Sequence, residues 1–357
     1  MSIPVSVLDL VPVMEGQDSR QALHRSLDLA IHVEELGYNR YWLAEHHNLR
    51  STCSSAPEII LGQVAHRTQH LRVGSGGIML SNHAPLRVAE SFRTLEAFFP
   101  GRIDLGLGRA AGADSLTALV LRRCQDVRSE ADFEERLAEL LAYDTRDLPV
   151  EHPLQKVIAT PSDIPLPPLW LLTSSGHGAR TAAAIGSGLA FAAQINPNLQ
   201  NAAAAIQTYR AAFQPSARFE RPQTLLSLSV ILADNDNEAE RLAHSVDLAL
   251  VRVLRGQDAP LPPPEAIENV PFTSEEHFRL EAWRHLHVIG GPTRVRDRLQ
   301  FILNETGVDE LMISSIVHDS AARQHSYTIL RDITRRLSVS MPLSISPGVA
   351  PVVRRRS

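Results

Sequence analysis

A short apolar run, then a longer segment with helical spacing, then another short apolar run: this alternation repeats eight times along the chain and limits what it can fold into. The short runs are Val5–Leu8, Arg40–Leu43, Leu71–Val73 with Ile78–Leu80 around a glycine interruption, Ile103–Leu107, Leu169–Leu172, Leu189–Phe191, Leu225–Leu232 and Glu310–Ile313. Between and after them the spacing predicts helices over Ser19–Leu36, Pro57–Arg67, Pro85–Phe99, Ser129–Tyr143, Ala179–Ile185, Asn198–Phe213, Glu238–Leu254, Pro292–Leu303 and Ala321–Leu337. Strand-then-helix units imply parallel strands joined by crossover helices. A closed barrel and an open doubly wound sheet both satisfy that count. No Gly-x-Gly-x-x-Gly turn follows the first strand, which removes the commonest open-sheet dinucleotide site. The reading is therefore α/β, a (β/α)8 TIM barrel, with insertions after strand four (residues 110–165) and strand seven (255–273). A chain of 357 residues fits one such barrel, assigned to 1–337, with 338–357 as a flexible tail rich in Ser, Pro and Val.

Charge and cysteine content exclude other classes. A net charge of -5 gives no basic face for nucleic acid, and the run Arg354–Arg356 reads as a solvated end. Cys53 and Cys124 are too few for a disulfide scaffold or a thiolate zinc site. No signal peptide is visible after Met1, and no apolar run reaches roughly 18 residues. The expectation is a cytoplasmic protein with no membrane partner.

In a barrel, chemistry gathers where strands hand over to their loops. Glu45-His46-His47 follows strand two, Gly74-Ser75-Gly76-Gly77 interrupts strand three, Gly106-Leu107-Gly108-Arg109 closes strand four, Thr173 to Gly178 follows strand five, and Gln194 and Asn196 follow strand six. Thr173–Gly178 opens a helix and suits a phosphate, although Ser and Thr are also ordinary N-caps. Arg109 suits phosphate oxygens or a surface ion pair. Gly76-Gly77 fits either the close approach of a flat ring or a β-bulge. His46 fits a general base or a structural histidine. A barrel metallohydrolase would place His-x-His on the first strand, which instead runs Leu8-Asp9-Leu10, while His66 and His70 fall at the wrong end. No metal site is expected.

These segments, in order, resemble the bacterial luciferase-like flavin-dependent monooxygenases. Leu43-Ala44-Glu45-His46-His47-Asn48 is similar to that family's Glu-His-His segment. Val73 to Leu80, His83 to Glu90, Pro100 to Ala110, Gly307 to Met312 and Val317-His318-Asp319 are similar to further family segments. The resemblance spans residues 3 to 337. It implies a barrel using reduced FMN and O2 to oxygenate a small organic substrate, with reduced flavin supplied by a separate NAD(P)H:flavin reductase acting transiently. It implies His46 as the catalytic histidine. The implied cofactor-binding set is Gly76, Gly77, Arg109, Leu172, Thr173, Ser174 and Ser175, with Gly76-Gly77 as a cis peptide beneath the flavin ring. Arg123 and Arg128 are candidates for a second phosphate-binding arginine. Homodimers are common in the family. Gly108 stands where the light-emitting enzymes carry a reactive cysteine, which argues against light emission from an aldehyde. Apolar and Pro-rich insertions point to a mostly hydrophobic substrate. Two alternatives stand beside this reading: a deazaflavin (F420)-dependent hydride-transfer oxidoreductase, disfavoured by the lack of a basic cluster for its anionic tail, and a non-catalytic flavin-binding protein.

Overall fold

The computed structural model of the chain describes residues 3–122, 130–145 and 151–337. In chain order its elements are β1 (Val5–Asp9), α1 (Ser19–Glu35), β2 (Arg40–Leu43), α2 (Pro57–Arg67), β3 (Arg72–Ser75), β4 (Ile78–Met79), α3 (Pro85–Phe98), β5 (Ile103–Gly108), α4 (Ser115–Arg122), α5 (Glu130–Thr145), β6 (Leu169–Thr173), α6 (Gly176–Ala184), β7 (Gly188–Ala192), α7 (Leu199–Ala212), β8 (Thr224–Leu232), α8 (Asp236–Leu254), α9 (Ser274–Arg284), β9 (His287–Gly290), α10 (Pro292–Thr306), β10 (Glu310–Ser314) and α11 (Ser320–Thr334). Local chemistry sets many of the boundaries. Asp18 and Gln21 form a reciprocal capping box on α1, proline occupies the first turn of α2, α3 and α10, and Gly307, at φ 58°, ends α10 in the left-handed region.

The strands are parallel and run β10-β1-β2-β3-β5-β6-β7-β8, and β8 pairs back onto β10 to close the barrel. This is the (β/α)8 architecture expected, with β4 continuing β3 after the glycine interruption. The insertions fall where expected. After β5 come α4 and α5; after β8 and α8 come α9 and β9. Three elements exceed the expectation. α4 is short, and Asp114 accepts the backbone N–H groups of Leu116 and Thr117 near its start. α9 is opened by a Thr273–Glu276 capping box. β9 offers only Val288-Ile289 as an apolar signal and is a strand because β8 extends past the end of β7 and pairs with it. The expected tail 338–357, together with Arg123 and Arg128, lies outside the described residues.

Inside the barrel, side chains of in-register neighbours share a face, so the lining can be followed from strand to strand. Toward the N-terminal end lies an ionic group: Arg40 Nη1 donates to Asp104 Oδ2 at 2.7 Å, Arg40 Nε donates to Glu310 Oε1 at 3.1 Å, and Arg72 also pairs with Asp104. Burial pushes the Asp104 carboxyl up, but Arg40 and Arg72 outweigh it and hold the pKa below the usual value. Above this sits an apolar layer of Leu8, Trp42, Trp170, Ala190, Leu225 and Met312, with the two indoles edge-on at 5.6 Å. At the C-terminal mouth the lining residues are small: Ala44, Gly76, Gly108, Ala192, Ser227, Ser229 and Ser314. Small residues above this packed floor leave space at the mouth. Asp9 ties the first unit to the last, accepting from Ser26 Oγ and from Arg323 Nη2, both at 2.7 Å.

Candidate active site

β2 delivers Glu45 and His46 to the mouth. Glu45 is fully buried and accepts three hydrogen bonds, from Met79 N–H at 2.8 Å, His47 Nε2 at 2.7 Å and His83 Nε2 at 2.8 Å. Burial pushes its carboxyl up, but the two imidazoles and the amide hold its pKa below the usual value. His83 is raised in return, chiefly by its hydrogen bond to Glu45. His47 therefore turns toward Glu45, two residues away along an extended chain, while His46 is left to the other side. Burial lowers the pKa of His46, against a raising influence from Glu45, so its ring is neutral near pH 7. Its Nδ1 is buried with no hydrogen-bond partner among the described residues. A neutral imidazole with an open, buried nitrogen can accept a proton from a bound molecule.

The glycine interruption lies beside it. The Gly76–Gly77 peptide is cis. A Cβ on Gly77 would sit 2.7 Å from the Gly106 carbonyl oxygen, and one on Gly76 would sit 2.6 Å from Leu8 Cδ1. The backbone of β5 thus demands glycine at position 77, whereas at position 76 the Leu8 side chain of β1 would have to move aside. Gly106 reciprocates, since its Cβ would meet Ser75 O at 2.0 Å.

Contacts between loops join the strand ends into one rim. The His47 N–H donates to Gly112 O at 2.9 Å, joining the loops after β2 and β5. Ser81 Oγ donates to the carbonyl of Arg109 at 3.2 Å, and Arg122 Nη2 donates to Ser81 Oγ at 2.7 Å. The Arg109 side chain is exposed on this rim. Arg136 Nη1 of α5 reaches the His83 carbonyl at 2.8 Å, and Glu134 of the same helix pairs with His177 at 3.1 Å. The turn before α6 is held by its own residues: Thr173 Oγ1 donates to Ser175 O at 3.0 Å and accepts from Ser175 N–H at 3.1 Å. Asn196 Nδ2, from the loop after β7, donates to Ser174 O at 2.9 Å. Ser175 is the N-cap of α6 but makes no side-chain capping bond, its hydroxyl lying 3.4 Å from Thr173 Oγ1 instead, so the first turn of the helix has no side-chain cap and suits an anion. Leu172, one residue earlier, packs into the barrel beside Gly106. The strand ends carrying His46, Gly76, Gly77, Arg109, Leu172, Thr173, Ser174 and Ser175 thus all open on the same end of the barrel.

The luciferase-like monooxygenase family model matches residues 3–310. The chain belongs to that family. This luciferase-like chain is 40% identical over 340 residues to an Escherichia coli (strain K12) luciferase-like monooxygenase, covering 94% of this chain and 98% of that one. Its fold superposes on apo-MsnO8 with TM-score 0.83 at 36% identity, covering 93% of this chain and 98% of the other. Two more distant structures share the fold alone: the FMN complex of the oxygenating constituent of the Pseudomonas putida 3,6-diketocamphane monooxygenase (TM-score 0.69, 16% identity, 95% and 99% covered), and an F420-dependent secondary alcohol dehydrogenase holding an F420–acetone adduct (0.68, 13%, 94% and 100%). No described helix of this family member is long and apolar enough to cross a membrane.

Sequence reasoning did not single out several residues of this luciferase-like rim. Glu45 was visible only as the neighbour of His46, and its partner His83 lies 38 positions away. Arg122 is the cation that reaches the Arg109 loop, through Ser81. Neither spacing nor periodicity signals such pairings.

Proposed function

We propose that this chain is an FMN-dependent two-component monooxygenase, using reduced flavin and O2 to oxygenate a small organic substrate. The observation that carries the reading is the joined rim. His46, the Gly76–Gly77 peptide, Arg109 and the Thr173–Ser175 turn share the open end of a barrel plugged lower down by Trp42 and Trp170. Family membership supports the same reaction class.

The residues suit the cofactor. Open N–H groups at the start of α6, the Ser174 and Ser175 hydroxyls and the Arg109 guanidinium would hold a phosphate. The Gly76–Gly77 backbone, with Leu172 and the small lining residues, would bed a flat ring. Bound reduced flavin supplies the electrons that activate O2. His46, neutral and with an open nitrogen, takes or returns a proton at Nδ1. Glu45, His47 and His83 fix the segment on either side of His46. A separate NAD(P)H:flavin reductase would deliver the reduced flavin.

The test is a pair of measurements. Flavin fluorescence quenching should show FMN binding stronger than F420 binding. Reaction with a flavin reductase, NADH and ¹⁸O2 over a panel of organic sulfides, ketones and hydrocarbons should place one labelled oxygen in a product. Preferential F420 binding with no oxygen incorporation would overturn the proposal in favour of deazaflavin hydride transfer. FMN binding with no product across the panel would favour a flavin-binding protein without turnover.

A further inference from the structure

The far side of the mouth, away from Arg109 and α6, carries a row of polar side chains whose hydrogen-bonding groups the flavin reading leaves unassigned. Ser314 of β10, Ser229 of β8 and His287 of β9 are register partners across three adjacent parallel strands, so their side chains leave the sheet on one face. That face is the interior, because Met312 and Leu225, two and four positions before Ser314 and Ser229, lie in the apolar floor of the barrel. Ser227 lies one step lower on the same face. The three serines are buried, at 5% (Ser227), 7% (Ser229) and 4% (Ser314) exposure. Ser229 Oγ and His287 Nδ1 are 2.6 Å apart. The remaining polar atoms of the row, Ser227 Oγ, Ser314 Oγ and His287 Nε2, have no partner among the described residues. Trp283 packs its ring 5.1 Å from that of His287, and its buried Nε1 is also unpartnered.

A buried hydroxyl or imidazole nitrogen without a partner costs about 1–3 kcal/mol, and four grouped in one place require an explanation. The row carries no formal charge. Burial pushes the His287 pKa down to about 4, so the ring is neutral, and Arg284, the cation beside it, is held by Asp247 at 2.6 Å and Glu240 at 2.7 Å. Hydroxyls that donate or accept, next to a neutral imidazole and an indole N–H, match a neutral acceptor-bearing group rather than an anion or a bare hydrocarbon.

We propose that Ser227, Ser314 and His287 form a subsite for an uncharged carbonyl or amide group, presented either by the substrate or by the pyrimidine edge of the flavin. The proposal deepens the flavin-enzyme reading and adds a polar group to a substrate whose remainder is apolar.

The Ser227→Ala/Ser314→Ala double variant tests it. Removing unpartnered hydroxyls orphans no other group, so the ligand-free variant should melt at or above the wild-type temperature. Dissociation constants for FMN, cyclohexanone, N-methylacetamide and cyclohexane are then compared between the two proteins, with the His287 Nε2 resonance followed by ¹⁵N NMR. A roughly tenfold loss for the ketone and amide, with FMN and cyclohexane unchanged, assigns the subsite to the substrate. A roughly tenfold loss for FMN alone assigns it to the flavin edge. Dissociation constants equal in both proteins overturn the proposal and leave ordered water as the partner of the row. So does a His287 resonance that no probe moves. Should wild-type protein bind no FMN, the cofactor reading fails by itself, and the ketone and amide measurements still decide the row.

Discussion

His83 Nε2 and His47 Nε2 both donate to one atom, Glu45 Oε1, at 2.8 and 2.7 Å, while the other oxygen of that carboxylate takes the Met79 amide. One buried carboxylate thus fixes the chain on both sides of His46 and clamps the end of β2 to β4. The pairing has a defined pH window. Glu45 is lowered from 4.5, so its contribution is present above that value and is lost as pH falls through its depressed pKa. His83 is raised from 6.5, so its contribution is complete below that value and is lost as pH rises through its elevated pKa. Glu45→Gln should destabilise the fold by about 1–3 kcal/mol. Its melting-temperature deficit should be largest between pH 4.5 and 6.5 and shrink on either side. A deficit independent of pH would disprove the assignment, as would a His83 NMR titration unchanged in the variant.

His46→Ala should leave FMN affinity nearly unchanged and lower turnover by about 10²–10⁴-fold, the usual contribution of a positioned acid or base. Because burial depresses its pKa, the acidic limb of the wild-type pH–rate profile should lie below pH 6.5 and vanish in the variant. Wild-type turnover in His46→Ala would remove this residue from the mechanism.

Arg109→Ala deletes a guanidinium from the rim. FMN should bind about tenfold or more weakly, consistent with loss of a charge-assisted contact of about 1.5–3 kcal/mol. Riboflavin, which lacks the phosphate, should bind both proteins alike. Equal weakening of FMN and riboflavin would move Arg109 away from the phosphate.

Arg40→Met leaves Asp104 with Arg72 as its remaining cation and Glu310 without its guanidinium inside the barrel. Breaking a buried pair from one side costs about 3–5 kcal/mol. Urea denaturation should show that loss, and it should shrink in a triple variant that also carries Asp104→Asn and Glu310→Gln. A single variant as stable as wild type would show that the ionic layer adds nothing to the barrel.

Gly77→Ala would force a methyl to within 2.7 Å of the Gly106 carbonyl. Overpacking of this kind costs about 1–3 kcal/mol, and the β3–β5 seam should loosen with it. Hydrogen exchange at the amides of β5 should accelerate; unchanged protection would mean the seam absorbs the methyl.

Eight barrel strands and the main helices could be read from local periodicity, because a parallel strand buried on both faces must be apolar along its length and its crossover helix must keep an apolar stripe. Thr273 with Glu276 signals α9 just as locally. β9 was illegible, since four residues become a strand only where β8 outruns β7. Of the mouth, sequence named the segments at the strand ends but not their partners.

The order of residues along the chain determined the fold class, the barrel end at which chemistry can occur and the segments that reach it. Tertiary structure alone decided that one carboxylate serves two histidines and that three serines and a histidine from three strands form a row. Periodicity is written by neighbours a few positions apart, whereas these groupings depend on strand register around a closed barrel, which joins residues as distant as Ser229 and Ser314.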